Sequence, residues 1–379
     1  MKKIRAGVVG AGFIGTVHIE QLRRLGNVEV AALVKTRDPQ GKAQALSVPK
    51  GYSDYREMIE KENLDCVHIC TSNDSHFEIA DYALDRGLHV VCEKPLTLGP
   101  AEAGKLVKKA REKGLVNAVN YNCRYYPMVY QMREMIRAGE LGSVYTVHGS
   151  YLQDWLFLDT DYNWRLEPAL SGDSRAFSDI GTHWLDLVEF VTGLKATELL
   201  ADFATFHKTR KKPAKPVDTY SGMALRPEDY DEVPVATEDY ATVLFHFENG
   251  ARACCNISQV FAGRKNQMTV SVAGSKCSLH WDSENSNSLW VGRRETMNGE
   301  YVKDPSILKP ATRAVTGYPG GHAEGFSESF KQNFVKIYEA VAAGRQIEGE
   351  YATFEDGLKE MIFCERVVQS ARERRWVKI

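Results

Sequence analysis

Residues 4–22 read "IRAGVVGAGFIGTVHIEQL", and the change of period inside this stretch decides the first part of the fold. Ala6 to Val9 form a continuous apolar run, the kind buried on both faces of a parallel sheet. Gly10, Gly12 and Gly15 follow in the spacing GxGxxG. Beyond Gly15 the apolar residues fall at helical intervals, with Val17, Leu22 and Leu25 on one stripe. Strand, glycine turn and helix are the context in which this spacing holds a dinucleotide. Gly10 permits the turn, Gly12 lets a pyrophosphate approach the backbone, and Gly15 lets the helix pack on the strand. The free N–H groups of the helix N-terminus then face the phosphates. Phe13 and Ile14, inside the motif, join the glycines as candidate cofactor contacts.

Working outward, the same alternation persists. Strands are predicted at 28–34, 64–72, 88–95 and 115–124, with helices at 76–87 and 99–114. This is the pattern of a doubly wound parallel sheet, whose ligands lie beyond the C-terminal ends of the strands. An NAD-preferring site ends its second strand in Asp or Glu. Here Lys35, Thr36 and Arg37 stand there, and Asp38 comes late, in an Asp-Pro setting that reads as a turn or a helix start. Lys35 and Arg37 offer charge-assisted donors to a 2′-phosphate, with Thr36 as a neutral one. The expected cofactor is NAD or NADP, tilted toward NADP. Thr71, Asn73, His76, Glu93, Lys94, Asn122 and Arg124 complete the candidate cofactor set. Lys94 falls at a strand end and precedes Pro95, which restricts its backbone to extended geometry.

The chain has 379 residues, enough for two cores, and 48 Lys+Arg against 50 Asp+Glu give a formal charge of −2. That balance gives no reason to expect nucleic acid as a partner. The longest basic run, "HKTRKKPAKP" (207–216), holds two prolines and no aromatic among its lysines, and reads as a solvated loop. Eight cysteines without a CxxC pair suggest buried thiols in a reducing compartment. The basic-then-apolar N-terminus is broken by Gly7, Gly10 and Gly12 and does not read as a secretory leader. No run approaches the length of a membrane span. A soluble, cytoplasmic protein is expected.

After residue 124 the pattern becomes alternating, at 143–155, 196–206, 239–260, 266–274 and 276–282. Glu248-Asn249-Gly250 and Gly274-Ser275 mark hairpins. An open, largely antiparallel sheet follows, with helices near 127–139, 179–193, 325–342 and 353–374. Domains are therefore expected at 1–124 and 125–379. In "FSDIGTHWLDLVEFVTG" (177–193), Asp179, His183 and Asp186 share one helix face, opposite an apolar stripe. A carboxylate one turn from an imidazole can orient the ring and raise its basicity. Two ligands with no third nearby do not make a metal site, and none is expected. "QDWLFLDTDYNWR" (153–165) offers Gln153, Asp154, Trp155, Asn163, Trp164 and Arg165. Such a mix suits a carbohydrate, with aromatic faces for C–H surfaces and polar groups for hydroxyls. Tyr318 and His322, in "GYPGGHAEGF" (317–326), are further candidates.

Gly10 to Gly15, "EKP" at 93–95 and "DIGTHWLDL" at 179–187, together with "NYNCRYYP" (120–127) as the crossing segment, resemble the Gfo/Idh/MocA oxidoreductases. The resemblance spans essentially the whole chain. It implies a Rossmann domain followed by an α+β domain with a large open, mostly antiparallel sheet. It also implies NAD or NADP as cofactor, and interconversion of a sugar or cyclitol hydroxyl with a ketone. Carried over by position, it makes Lys94, Asp179 and His183 catalytic, His183 as acid/base. Tyr121, Trp155, Trp164, Arg165 and His322 join them on the substrate side. Two other readings belong to the same resemblance: a glycosidase that oxidises its substrate only transiently, and a cofactor-binding sugar sensor without catalysis. A homodimer or homotetramer, burying the broad face of the sheet, is expected.

Overall fold

A computed structural model describes residues 3–214 and 229–379. By compactness these form two units. One comprises Met1–Tyr126, Val315–Tyr318 and Glu324–Met361, the other Pro127–Ala314, Pro319–Ala323 and Ile362–Ile379.

The first unit carries a six-stranded parallel sheet. Its strands are β1 (Ile4–Val9), β2 (Val28–Val34), β3 (Lys50–Tyr52), β4 (Cys66–Ile69), β5 (His89–Cys92) and β6 (Asn117–Val119). They lie in the order β3-β2-β1-β4-β5-β6, so the chain reverses direction across the sheet at β1 and β4. Every residue of β4 is buried, as are the last four of β1, because helices cover both faces. Strand β3, at three residues, is too short to show a period in the sequence.

A single boundary after residue 124 does not describe which residues pack together, because the chain returns to this unit. Helix Phe326–Ala343 places Phe330, Phe334, Ile337 and Tyr338 in one cluster with Val8, Ile19, Leu22 and Leu33. Each such side chain, fully buried, contributes about 1.5–3 kcal/mol.

The second unit is built on β7 (Val144–Leu152), β8 (Ala196–Ala204), β9 (Thr209–Pro213), β10 (Tyr230–Pro234), β11 (Tyr240–Phe247), β12 (Arg252–Ser258), β13 (Gln267–Gly274), β14 (Ser278–Asp282), β15 (Ser288–Gly292), β16 (Gly299–Val302) and β17 (Val377–Lys378). Nine of these form one sheet, ordered β16-β15-β14-β13-β7-β12-β11-β8-β17. Only β7 and β12 pair in parallel. In β11, Ala241, Val243, Phe245 and Phe247 point inward while their neighbours are half exposed, the period of a sheet with one covered face. Helix Thr182–Thr192 lies on that face, with Trp184 fully buried and its Nε1 donating to the Thr269 carbonyl at 3.0 Å.

The basic run 207–216 departs from the loop expected of it. Residues 215 and 216 lie outside the described residues. The rest includes β9, paired antiparallel with β10, and Arg210 is fully buried. Among the described residues no helix is long and apolar enough to cross a membrane. All eight cysteines are free thiols.

Candidate active site

The glycine turn has the form that its spacing predicts. Gly10 has φ +92°, and a Cβ on Gly15 would lie 1.8 Å from the Gly10 carbonyl oxygen. Neither position tolerates a side chain without moving the backbone. A Cβ on Gly12, by contrast, would meet open space within 4 Å. Helix Phe13–Arg23 starts there with no side-chain cap and no acid in its first turn. Its first N–H groups are thus left for an anion, and a dinucleotide's pyrophosphate fits both this charge and this space. Phe13 stands exposed beside the turn, its ring 6.4 Å from that of Phe326. Ile14 is half-buried against the core.

Beyond β2, Lys35 is half-buried while Thr36 and Arg37 are exposed. Asp38 caps the next helix, its carboxylate accepting from the Gly41 N–H at 3.0 Å. The late acid is therefore used by the backbone.

The other candidates of this unit separate into surface-facing and framework groups. His76 is fully buried. Its Nδ1 lies 2.8 Å from the Pro95 carbonyl and its Nε2 3.2 Å from that of Thr71. Burial lowers its pKa, so the neutral ring donates once, and the shorter contact is the better bond. His76 thus ties the end of β4 to the turn after β5, where the Lys94–Pro95 peptide is cis. Asn73 is buried at the start of this tie.

Glu93 is 8% exposed and receives His18 Nε2 at 2.9 Å and Asn120 Nδ2 at 2.5 Å. Burial pushes its carboxyl up, but His18 foremost, through its hydrogen bond and its electrostatic effect, and then the Asn120 hydrogen bond and the Lys94 charge hold it below the ordinary range. Asn122 donates to Ser329 Oγ at 2.7 Å, and Arg124 pairs with Asp356 at 3.5 Å. Tyr121 is buried. Asn122 and Arg124 are thereby joined to protein partners. Tyr318 is held by Arg24, whose NH2 donates to its hydroxyl at 2.9 Å.

In the second unit, Asp179 sits in a single π-helical turn, Phe177–Gly181, leading into helix Thr182–Thr192. Such turns are inserted into α-helices frequently at functional positions. One oxygen of Asp179 accepts from Arg165 Nε at 3.1 Å, the other from Gln259 Nε2 at 2.9 Å. The Arg165 guanidinium lies over the Trp164 ring at 4.5 Å and the Trp155 ring at 5.9 Å. Trp155 Nε1 donates to Gln153 at 2.7 Å, and Leu156, Leu166 and Val235 form a small core beneath this segment. Trp155, Trp164, Arg165 and Asp179, proposed from the sequence as separate pieces, are therefore one cluster. His183, one helical turn on, is buried with its ring centroid 6.2 Å from that of Tyr151.

Two expected members are not part of that cluster. Asp154 turns to Lys265 at 2.7 Å and the Gly263 N–H at 3.0 Å. His322 is exposed in a turn, its Nδ1 3.2 Å from the Gly320 carbonyl. No hydrogen bond among the described residues brings it to Asp179.

Four residues behind the cluster were not foreseen. Gln259 accepts from Arg175 NH1 at 3.2 Å, which turns its amide so that the NH2 end faces Asp179. Arg175 and Arg210 both pair with Asp239, and all three side chains are fully buried. Burial opposes ionisation of Asp239, but the two guanidiniums and the His207 N–H hold its carboxyl below the ordinary range. Among the described residues no three His, Cys, Asp or Glu side chains are grouped to hold a metal.

Residues 4–121 match the model of an oxidoreductase family with an NAD-binding Rossmann fold, and residues 129–280 match the GFO/IDH/MocA C-terminal domain. The chain is 25% identical over 403 aligned positions to a levoglucosan dehydrogenase of Pseudarthrobacter phenanthrenivorans, covering 100% of this chain and 99% of that protein. An oxidoreductase domain protein from Kribbella flavida superposes with a TM-score of 0.88 at 29% identity, each chain covered completely. An inositol dehydrogenase homologue from Azotobacter vinelandii, complexed with NAD+, gives 0.86 at 27%, covering 100% of this chain and 98% of that one.

Proposed function

The chain belongs to the Gfo/Idh/MocA oxidoreductases, and from that premise we propose that it is an NAD(P)-dependent dehydrogenase of a secondary hydroxyl on a sugar, glycoside or cyclitol. The cluster around Asp179 carries this reading. A carboxylate fixed by two donors, one of them a guanidinium lying over tryptophan faces, is suited to hold a polyol by its hydroxyls, and the same helix presents His183 one turn on.

The dinucleotide, when bound, supplies the hydride acceptor. The protein's own groups handle the rest. His183 takes the hydroxyl proton as the hydroxyl becomes a carbonyl. Asp179 accepts from a neighbouring hydroxyl and orients the ring to be oxidised. Lys94 favours the developing negative charge on the substrate oxygen. Gly10, Gly12 and Gly15 hold the pyrophosphate, with the first N–H groups of helix Phe13–Arg23. For the adenosine ribose we infer a preference for NADP. Asp38 is engaged as a helix cap, while Lys35, Thr36 and Arg37 offer only donors to a 2′-phosphate. A cytoplasmic location and a homodimer or homotetramer belong to the same proposal.

The test is nicotinamide absorbance with each dinucleotide and a panel of polyols, free sugars and glycosides, beside His183→Ala and Lys94→Ala. Reduction by the wild type, absent in both variants, supports the reading, and the better dinucleotide decides the preference. Cleavage of a glycoside without net cofactor turnover would replace it by transient oxidation.

A further inference from the structure

The first unit contains a buried line of titratable groups that the proposed reaction leaves unused. Tyr338 Oη, His68 and His18 lead to Glu93 through three hydrogen bonds of 2.9 Å each: Oη to His68 Nε2, His68 Nδ1 to His18 Nδ1, and His18 Nε2 to Glu93 Oε1. Both imidazoles are fully buried and Tyr338 is 1% exposed.

With both imidazoles neutral, such a line has two self-consistent arrangements. If Glu93 is ionised, His18 donates from Nε2 and its Nδ1 is an acceptor. His68 must then donate from Nδ1 and accept the Tyr338 O–H at Nε2. If Glu93 is protonated and donates, every bond reverses and the line holds one more proton. The surroundings select the first arrangement. Asn120 also donates to Glu93 Oε1, its amide turned that way because Asn333 donates to Asn120 Oδ1 at 2.9 Å. The Lys94 N–H donates to Glu93 Oε2 at 3.3 Å.

The other titratable groups that act on this line are Lys94 beside Glu93, Asp65 near Tyr338, and the buried Cys66, Cys70, Cys92 and His76. Burial keeps those four neutral, pushing the three thiols up and the imidazole down. Lys94 supplies the positive charge beside Glu93. With no solvent at its far end, the line orients protons and does not conduct them.

We propose that His18 and His68, anchored by Tyr338, are positioning residues for Lys94. Their aligned N–H groups fix the Glu93 carboxylate, which holds the Lys94 backbone and balances its ammonium. This deepens the dehydrogenase reading and rests on it.

Nitrogen NMR of histidine-labelled wild type, without substrate, is expected to find His18 protonated at Nε2 and His68 at Nδ1. The opposite tautomer at either, or His18 protonated at both nitrogens, overturns the proposal, whatever the enzyme oxidises. In kinetics, His18→Leu keeps the bulk but removes the donor to Glu93, which favours the protonated carboxyl. The acid limb of kcat should move up by about one pH unit. His18→Gln, with an NH2 toward Glu93 and an oxygen toward His68, should restore it, and His68→Leu should shift it in the same direction by less. Expected tautomers with superimposable pH profiles would remove the positioning role alone. Absence of hydride transfer in the wild type would instead remove the dehydrogenase reading, leaving the tautomers to be judged separately.

Discussion

At the scale of single residues, two glycines three positions apart make opposite demands. A methyl on Gly15 would collide with the Gly10 carbonyl, whereas one on Gly12 would enter open space. Gly12→Ala is therefore expected to keep the melting temperature of the wild type while losing at least tenfold in dinucleotide affinity, on the order of 1.4 kcal/mol. Gly15→Ala should lose both. Thermal unfolding with and without dinucleotide checks the pair, and equal affinity of Gly12→Ala and wild type would place the pyrophosphate elsewhere. Asp179 supplies a second case. Its Gln259 donor is oriented by Arg175 from behind, and a hydrogen bond to a charged group contributes about 1.5–3 kcal/mol. Gln259→Leu should lower kcat by about tenfold or more, the affinity for dinucleotide staying as it was. A kcat equal to wild type would show that Arg165 alone suffices to hold Asp179.

At the scale of elements, the approach to helix Thr182–Thr192 depends on one buried carboxylate. Glu238 accepts from Ser174 Oγ at 2.7 Å, from the Arg175 N–H at 3.0 Å and from the Phe177 N–H at 2.9 Å. It caps the segment whose π turn places Asp179. Glu238→Ala leaves these donors unmatched in a dry site and should destabilise the protein by about 3 kcal/mol, read as a shifted urea midpoint. Glu238→Gln, which keeps one acceptor oxygen, should cost less; equal losses would mean that the carbonyl is not what the backbone needs. The strand–turn–helix at 4–22 was legible in the sequence because its glycines and its change of period are local. The face holding Asp179 and His183 was legible for the same reason. The π turn was not, since one extra residue in a helical turn leaves no compositional mark. The Arg175–Asp239–Arg210 group was hidden for a different reason: basic residues among prolines look solvated until a partner is known. A signal for it was present nonetheless. Asp239 and Gln259 continue the inward parity of Ala241–Val243–Phe245 and Ala253–Cys255–Ile257, and a polar residue at an inward position must find a partner.

At the scale of the whole molecule, acid should act on the two units through different groups. In the first unit, burial holds the pKa of His68 well below, and that of His76 below, the ordinary 6.5. Unfolding releases both to that ordinary value, so below it the unfolded chain binds more protons than the folded one. Stability from these rings is complete above about pH 6.5 and is lost as pH falls through their depressed folded values. The slope is about 1.4 kcal/mol per pH unit for each ring within that window. In the second unit the depressed groups that titrate in acid are carboxyls, the most deeply buried being Asp239, where the Arg175 and Arg210 charges outweigh burial. Its stability is complete above about pH 3.9 and is lost only below it. Calorimetry between pH 7.5 and 5.5 should therefore show a falling transition, and saturating dinucleotide should raise that same transition, by RT ln(1 + [L]/Kd), because the glycine turn belongs to the unit with the buried histidines. His76→Gln, which keeps a donor toward Pro95 without a titrating ring, should flatten the fall by about a third, His68 and the half-buried His89, also lowered by burial, carrying the rest. A transition that ignores pH in this range would mean that His68 and His76 are as protonated in the folded chain as in the unfolded one. The directed line from Tyr338 to Glu93 would then be untenable as well, since an imidazolium at His68 donates from both nitrogens and reverses the bond from Tyr338.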